Sequence, residues 1–231
     1  MNSRWIDIQA DDGKTFKGYL SLPPTGSGPG LVLIQEIWGV NNHIKAVADQ
    51  YAMDGYVVLA PDVFWRQEPG VDLAYDQNDT PKAFSLMQNM DGALAVRDLT
   101  QTVKALRALP ECTGKVASLG FCMGGRLSYL CAANAGVDAA VCYYGGGIDQ
   151  NLDQAAKITC PILFHFADKD NYIPASAVAA VKSAFANAKN AVIQTYPDVD
   201  HGFNCWERPS YNQKASAVAH GLSLSFLGKA L

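Results

Sequence analysis

The sequence has no excess of charge of either sign. Eighteen Lys and Arg stand against 22 Asp and Glu, a formal net charge of −4, and the basic residues are scattered along the chain. A surface that neutralises nucleic-acid phosphates needs a basic stripe, so nucleic acid is excluded as an expected partner. Long apolar runs are missing as well. Runs such as 31–34 and 56–60 fall far short of the roughly 20 residues that cross a bilayer, so no membrane partner is expected. Residues 1–12 carry Arg4, Asp7, Asp11 and Asp12 among alternating apolar positions instead of a basic segment followed by an apolar one. No export signal is read there, and a cytoplasmic protein is expected. The six cysteines (112, 122, 131, 142, 160 and 205) form no C-x-x-C pair, which argues against a zinc knuckle or a disulfide framework and for reduced thiols.

What is present is apolar content: 49% of 231 residues are hydrophobic and only 17% are charged. Such a chain buries enough surface to offset its conformational entropy, which a disordered segment could not do. Its length suits one large α/β domain, and no repeat or composition shift divides it. We therefore expect one domain over 1–231.

Two alternating segments, 4–9 and 15–22, flank the turn-forming Asp11-Asp12-Gly13-Lys14 and predict an antiparallel hairpin. The pattern then changes. Short, nearly continuous apolar runs at 31–35, 56–60, 116–119, 139–143, 162–166 and 192–196 read as strands buried on both faces of a parallel sheet. Between them lie helical patterns at 44–53, 91–109, 124–133, 174–186 and 213–227. In the second of these Val96, Leu99, Val103, Leu106 and Leu109 recur at three- and four-residue steps, and Pro110 ends it. Alternation of this kind predicts a doubly wound, predominantly parallel sheet of about eight strands with an antiparallel N-terminal hairpin. The stretch 63–90 reads as loose, a partial lid over the sheet.

Chemistry concentrates at Gly120-Phe121-Cys122-Met123-Gly124-Gly125, where an apolar strand runs through Gly-x-Cys-x-Gly directly into a helix. This is a nucleophile elbow with cysteine in the usual place of serine. The turn is sharp enough that the residues two before and two after must be small, and the helix aims its positive end at Cys122. A buried structural cysteine in a glycine-rich turn is the competing reading. A thiol nucleophile needs a base. Of four histidines, His201 follows the last strand in a loop, whereas His165 sits inside an apolar strand and reads as a packed core imidazole. A carboxylate to orient that base is available at Asp168 or Asp170, after the strand 162–166. Either could instead cap the next helix, and Asp170, further into the loop, is preferred. The order Cys122, Asp170, His201 then runs nucleophile, acid, base, the order of the α/β-hydrolase fold. Backbone amides of Met123 and of Ile37, in the loop after the strand 31–35, are placed to bind an oxyanion. Glu36 is out of place there as a simple surface residue, since it follows a buried strand.

Taken together, Gln35-Glu36-Ile37-Trp38-Gly39-Val40-Asn41, Ala60-Pro61-Asp62, Gly120-Phe121-Cys122-Met123-Gly124-Gly125, Tyr143-Tyr144-Gly145 and His201-Gly202-Phe203 resemble the dienelactone hydrolase family in order and spacing over nearly the whole chain. The resemblance implies a Cys122-Asp170-His201 triad that opens a small ester or lactone through a thioester, without metal or cofactor, in a monomer or homodimer. It further implies that Glu36 holds the resting thiol until substrate binds. Trp38, Lys82, Tyr144 and Arg208 are the candidate substrate contacts. The family's carboxylate-binding arginines are not at their expected positions, and Lys82 and Arg208 are the nearest replacements. A general carboxylesterase and a catalytically silent ligand-binding protein remain as alternatives.

Overall fold

A computed structural model describes residues 2–231. Strands β1 (Asn2–Gln9) and β2 (Thr15–Leu22) form the expected hairpin, in register from Asn2 opposite Leu22 to Gln9 opposite Thr15. Gly13, at φ 81°, turns the chain between them. The remaining strands are β3 (Gly28–Ile34), β4 (Val57–Pro61), β5 (Cys112–Phe121), β6 (Ala139–Tyr143), β7 (Ile162–Ala167) and β8 (Ala191–Tyr196). They join the hairpin in one sheet of order β1-β2-β4-β3-β5-β6-β7-β8. Only β1 with β2 and β2 with β4 pair antiparallel; every later pair is parallel.

Residues of β4, β6 and β7 are buried throughout, which is why those segments are apolar without alternation. The run 192–196 is different. It lies in β8 at the open edge, where only one neighbour covers it and Val192 is exposed. Helices α1 (Asn42–Met53) and α6 (Gln213–Ala230) cover one face of the sheet; α3 (Gly92–Arg107), α4 (Met123–Asn134) and α5 (Ala175–Ala184) cover the other. Side chains cap three of them, with Asn41, Asp91 and Asn212 accepting backbone N–H groups of the first turn. Helix α3 buries Leu99, Val103 and Leu106 as its periodicity requires, together with Asp98. No helix among the described residues is long and apolar enough to cross a membrane.

The stretch 63–90 is neither loose nor without helix. It contains α2 (Thr80–Gln88), opened by Pro81 in its first turn. Val63, Phe64, Trp65, Val71, Ala83 and Leu86 are buried. Buried polar groups fix its path: Val63 donates its N–H to Gln35 Oε1 at 3.2 Å, Asp62 accepts from Phe64 and Gly70, and Gln67 donates to the Leu86 carbonyl. Its main anchor is Asp98 on α3. That carboxylate accepts from Trp65 Nε1 at 2.8 Å and from Arg66 through both Nε and Nη2, at 2.7 and 2.8 Å. A sequence pattern of apolar periodicity does not register such a segment, because polar contacts with distant residues hold it. A short run of 3₁₀ helix, Asp149–Lys157, likewise went unanticipated.

Because Asp98 satisfies the buried Trp65 indole and shares the Arg66 guanidinium with Asp12, Asp98→Ala should strand the indole N–H and leave Arg66 with Asp12 alone. A loss of about 1–3 kcal/mol in unfolding free energy, the cost of an unsatisfied buried donor, is expected, read as a lower urea midpoint at unchanged slope. A change below about 0.5 kcal/mol, the size typical of surface substitutions, would show that Asp98 does not anchor the segment.

Candidate active site

Cys122 occupies the single residue between β5 and α4, at φ 57° and ψ −118°. This is backbone strain of about 1–3 kcal/mol, which persists only where the surroundings enforce it. They do so by close approach of main chain. A Cβ at Gly120 would stand 2.0 Å from the Gly124 carbonyl oxygen, and one at Gly124 would stand 2.3 Å from that of Ile34. The Cys122 N–H donates to the Tyr143 carbonyl at 3.0 Å, and its own carbonyl accepts from Gly125 and Arg126 as α4 begins. The side chain is left half-exposed at the floor of a cavity of about 420 Å³. Among the described residues, the N–H groups of Ile37 and Met123 find no acceptor within the protein, and both residues line the same cavity.

The loop after β7 brings Asp170 beneath His201, which the loop after β8 supplies. Asp170 Oδ2 lies 2.8 Å from His201 Nδ1, while Oδ1 accepts from the backbone of Tyr172 and Ile173 at 2.8 and 3.0 Å. Asp168 is exposed and takes no part. With Nδ1 engaged, the other ring nitrogen of His201 is free for Cys122. Burial works against a charged His201, but the facing Cys122 thiolate and the Asp170 carboxylate outweigh it and push the imidazolium up to about 10. The rings of Tyr144 and Tyr172 close on the imidazole edge-on, at 5.0 and 5.1 Å between centroids.

Glu36 is buried beside this group, but it does not hold the thiol. Its Oε2 accepts from the Tyr75 hydroxyl at 2.7 Å and its Oε1 from Arg208 Nη1 at 3.2 Å. A carboxylate taken out of water is stabilised most by a full opposite charge and charge-assisted hydrogen bonds, and a thiol supplies neither as well as Arg208 does. Arg208 in turn lies over the Trp38 ring, 5.1 Å from its centroid. Gly202 is what admits it, since a Cβ there would stand 2.2 Å from Nη1. Behind Glu36, ligand atoms of Glu36, His43 and Cys205 lie within 4.8 Å of one another, an arrangement that could accept a soft dication. The positive charge that Glu36 meets there is Arg208.

Of the remaining candidates, Trp38 and Arg208 line the cavity. Lys82 does not: its ammonium pairs with Glu68 at 2.6 Å on the exposed side of α2. Tyr144 is fully buried behind His201 with its hydroxyl unpartnered, so it supports the imidazole and does not face the cavity. His165 is the core imidazole expected, between Tyr196 and Ser223, and burial pushes it down to about 3. The sequence reasoning missed Tyr75, which only the folded 63–90 segment brings to Glu36. It also missed Arg126, and there a signal existed. A cation at the fourth position of a helix opposes the helix dipole and asks for another reason to be there.

A doubly wound α/β sheet with Cys122 at a strand-to-helix elbow, an acid after a later strand and a histidine after the last defines the α/β-hydrolase fold. The chain belongs to the dienelactone hydrolase family, whose model matches residues 16–231. It is 33% identical over 228 residues to carboxymethylenebutenolidase 1 of Cupriavidus pinatubonensis, covering 98% of this chain and 97% of that one. Carboxymethylenebutenolidase of Pseudomonas putida is 32% identical, with the same coverage. A solved structure from Klebsiella pneumoniae, provisionally assigned as a dienelactone hydrolase, superposes with a TM-score of 0.84 at 27% identity, over 99% of this chain and all of that one. The protein is a hydrolase of this family.

If the thiolate is what keeps the imidazolium charged, Cys122→Ala should let His201 lose its proton at lower pH. Titration of the His201 ring followed by nitrogen NMR should show a midpoint far above the ordinary 6.5 in the parent protein and a clear fall in the variant. An equal midpoint in both would assign the charge to Asp170 alone.

Proposed function

We propose that the protein hydrolyses small esters or lactones through a covalent thioester on Cys122, with His201 as acid and base and Asp170 as the group that orients it. The observation that carries this reading is the convergence of three things on one cavity wall: a strained cysteine, an imidazole fixed by a 2.8 Å carboxylate contact, and two unpartnered amides. Cys122 Sγ attacks the ester carbonyl carbon, and the carbonyl oxygen becomes an oxyanion received by the Ile37 and Met123 N–H groups. The intermediate collapses with cleavage of the C–O bond, and His201 gives its proton to the departing oxygen. A water then attacks the thioester carbonyl while His201 takes its proton, and Cys122 leaves as the thiolate with release of the carboxylate product. The unpaired thiols suit a reducing compartment, so the cytoplasm is the proposed setting.

Glu36 enters this scheme as an electrostatic control on the thiol. Its charge neutralises Arg208 close to Cys122, so that neither excess positive nor excess negative potential acts on the sulfur in the unliganded protein.

Chemical labelling and single substitutions test the reading. Alkylation should place one equivalent on Cys122 and abolish turnover of a p-nitrophenyl ester, and Asp170→Asn should lower turnover by about 10⁴-fold, as loss of the orienting carboxylate does in other triads, against a mild effect of Asp168→Asn. Full activity in Cys122→Ala would sink the mechanism. Glu36→Gln leaves Arg208 uncompensated, and a nearby positive charge favours thiolate. Iodoacetamide labelling of Cys122 at a given pH should therefore accelerate, with the site identified by mass spectrometry; an unchanged rate–pH profile would remove Glu36 from any role in governing the sulfur.

A further inference from the structure

Two buried side chains that take no part in the reaction proposed above meet Glu36 behind the catalytic cavity. They are His43, the second residue of α1, and Cys205, in the loop that follows His201. None of the three is more than 1% exposed. His43 Nδ1 has no hydrogen-bond partner among the described residues. Buried polar groups are nearly always paired, so an orphaned imidazole nitrogen beside a thiol and a carboxylate asks what it binds.

The spacing of the three answers for a metal. Their ligand atoms all lie within 4.8 Å of one another. A tetrahedral zinc centre with bonds of about 2.0–2.3 Å sets its ligand atoms about 3.3–3.8 Å apart, so closing on an ion takes a movement of about an ångström. The surroundings hold two of the ligands ready. The His43 ring stands edge-on to Trp206 and Tyr75, at 4.3 and 5.9 Å between centroids, and the Cys205 N–H donates to the Gly202 carbonyl at 2.9 Å. Burial lowers the pKa of His43 despite the nearby Glu36 charge, and the N-terminus of α1 also disfavours a cation, so the ring is in the neutral form that binds metals. Arg208 already meets Glu36, but through one contact at 3.2 Å, longer than a close charge-assisted hydrogen bond. Its guanidinium borders the cavity, which gives it space to turn away.

We propose that Glu36, His43 and Cys205 form a binding site for zinc or a similarly thiophilic divalent cation, which takes Glu36 from Arg208. Binding replaces the S–H bond of Cys205 with a sulfur–metal bond, and the proton leaves to solvent. The thiolate and the carboxylate then balance the two charges of the ion, the imidazole is the third ligand, and a fourth position is left for water. A thiolate and an imidazole select zinc, cobalt or cadmium over magnesium and calcium, which require oxygen ligands. The site does not depend on the hydrolase reading.

The test is made in Cys122→Ser, because Cys122 and His201 are the other cysteine–histidine pair within reach of a metal. Cobalt(II) added to this protein should bind at one equivalent, with a sulfur-to-cobalt charge-transfer band and the intense visible bands of a four-coordinate ion. Zinc should abolish both, and magnesium neither. In the same background Cys205→Ser should remove the charge-transfer band, and His43→Gln, which keeps Cys205, should weaken cobalt binding by at least about tenfold. Zinc should also raise the melting temperature of Cys122→Ser and not that of the double variant, since a ligand stabilises only the fold that binds it. The proposal is overturned if Cys122→Ser binds cobalt without a sulfur band, if the band survives Cys205→Ser, or if cobalt affinity is unchanged in His43→Gln. Metal bound by the parent protein and lost in Cys122→Ser would belong to the catalytic pair and would equally overturn it, leaving the hydrolase reading intact.

Discussion

Everything in the active site depends on main chain touching main chain at the elbow. Cys122 can keep a positive φ only because the end of β3, the turn itself and the end of β6 approach without side chains between them. The same approach sets the distance from the sulfur to the amides of Ile37 and Met123, because Ile37 follows β3 and Met123 opens α4. Strain of about 1–3 kcal/mol is affordable in a sheet whose central strands are wholly buried and whose neighbours are parallel and in register. Relaxing the elbow would require moving β3 against β5, and with them much of the core.

Around that fixed backbone the site is a set of paired charges. Asp170 faces His201, the Cys122 thiolate faces the same imidazolium from the cavity side, and Glu36 faces Arg208. Each pair is buried or nearly so, where an unpaired charge would be costly and a partner is worth most. Burial alone would strip the proton from His201. Its partners reverse the sign, so the imidazole keeps its proton well above the ordinary histidine range. Among the described residues Arg126, which also lines the cavity, joins no such pair.

The segment 63–90 shows how far a local reading reaches. Its Gly, Pro and Asn content reads as loop, yet Asp98 pins Trp65 and Arg66, and α2 carries Phe84 and Met87 into the cavity wall. Tyr75, in the same segment, supplies the second hydrogen bond to Glu36. A stretch expected to lie loosely over the sheet as a partial lid is a fixed wall of the cavity.

The sequence by itself determined the sheet, the elbow and the chain order of Cys122, Asp170 and His201 along it. Those features are written in local patterns: apolar runs of strand length, the glycines of Gly-x-Cys-x-Gly, and loop positions of Asp170 and His201 after their strands. The loop position of Ile37 after its strand pointed to its amide, and family resemblance added a role for Glu36 but assigned it to the thiol. Only the tertiary structure decided which charge met which. Glu36 turned to Arg208, 172 residues away, Lys82 turned outward to Glu68, and Tyr144 went behind the imidazole instead of into the cavity. The physical reason is that a backbone conformation follows from steric limits on neighbouring residues, whereas the partner of a buried charge is the best opposite charge within a few ångströms, and that neighbourhood exists only after the chain has folded.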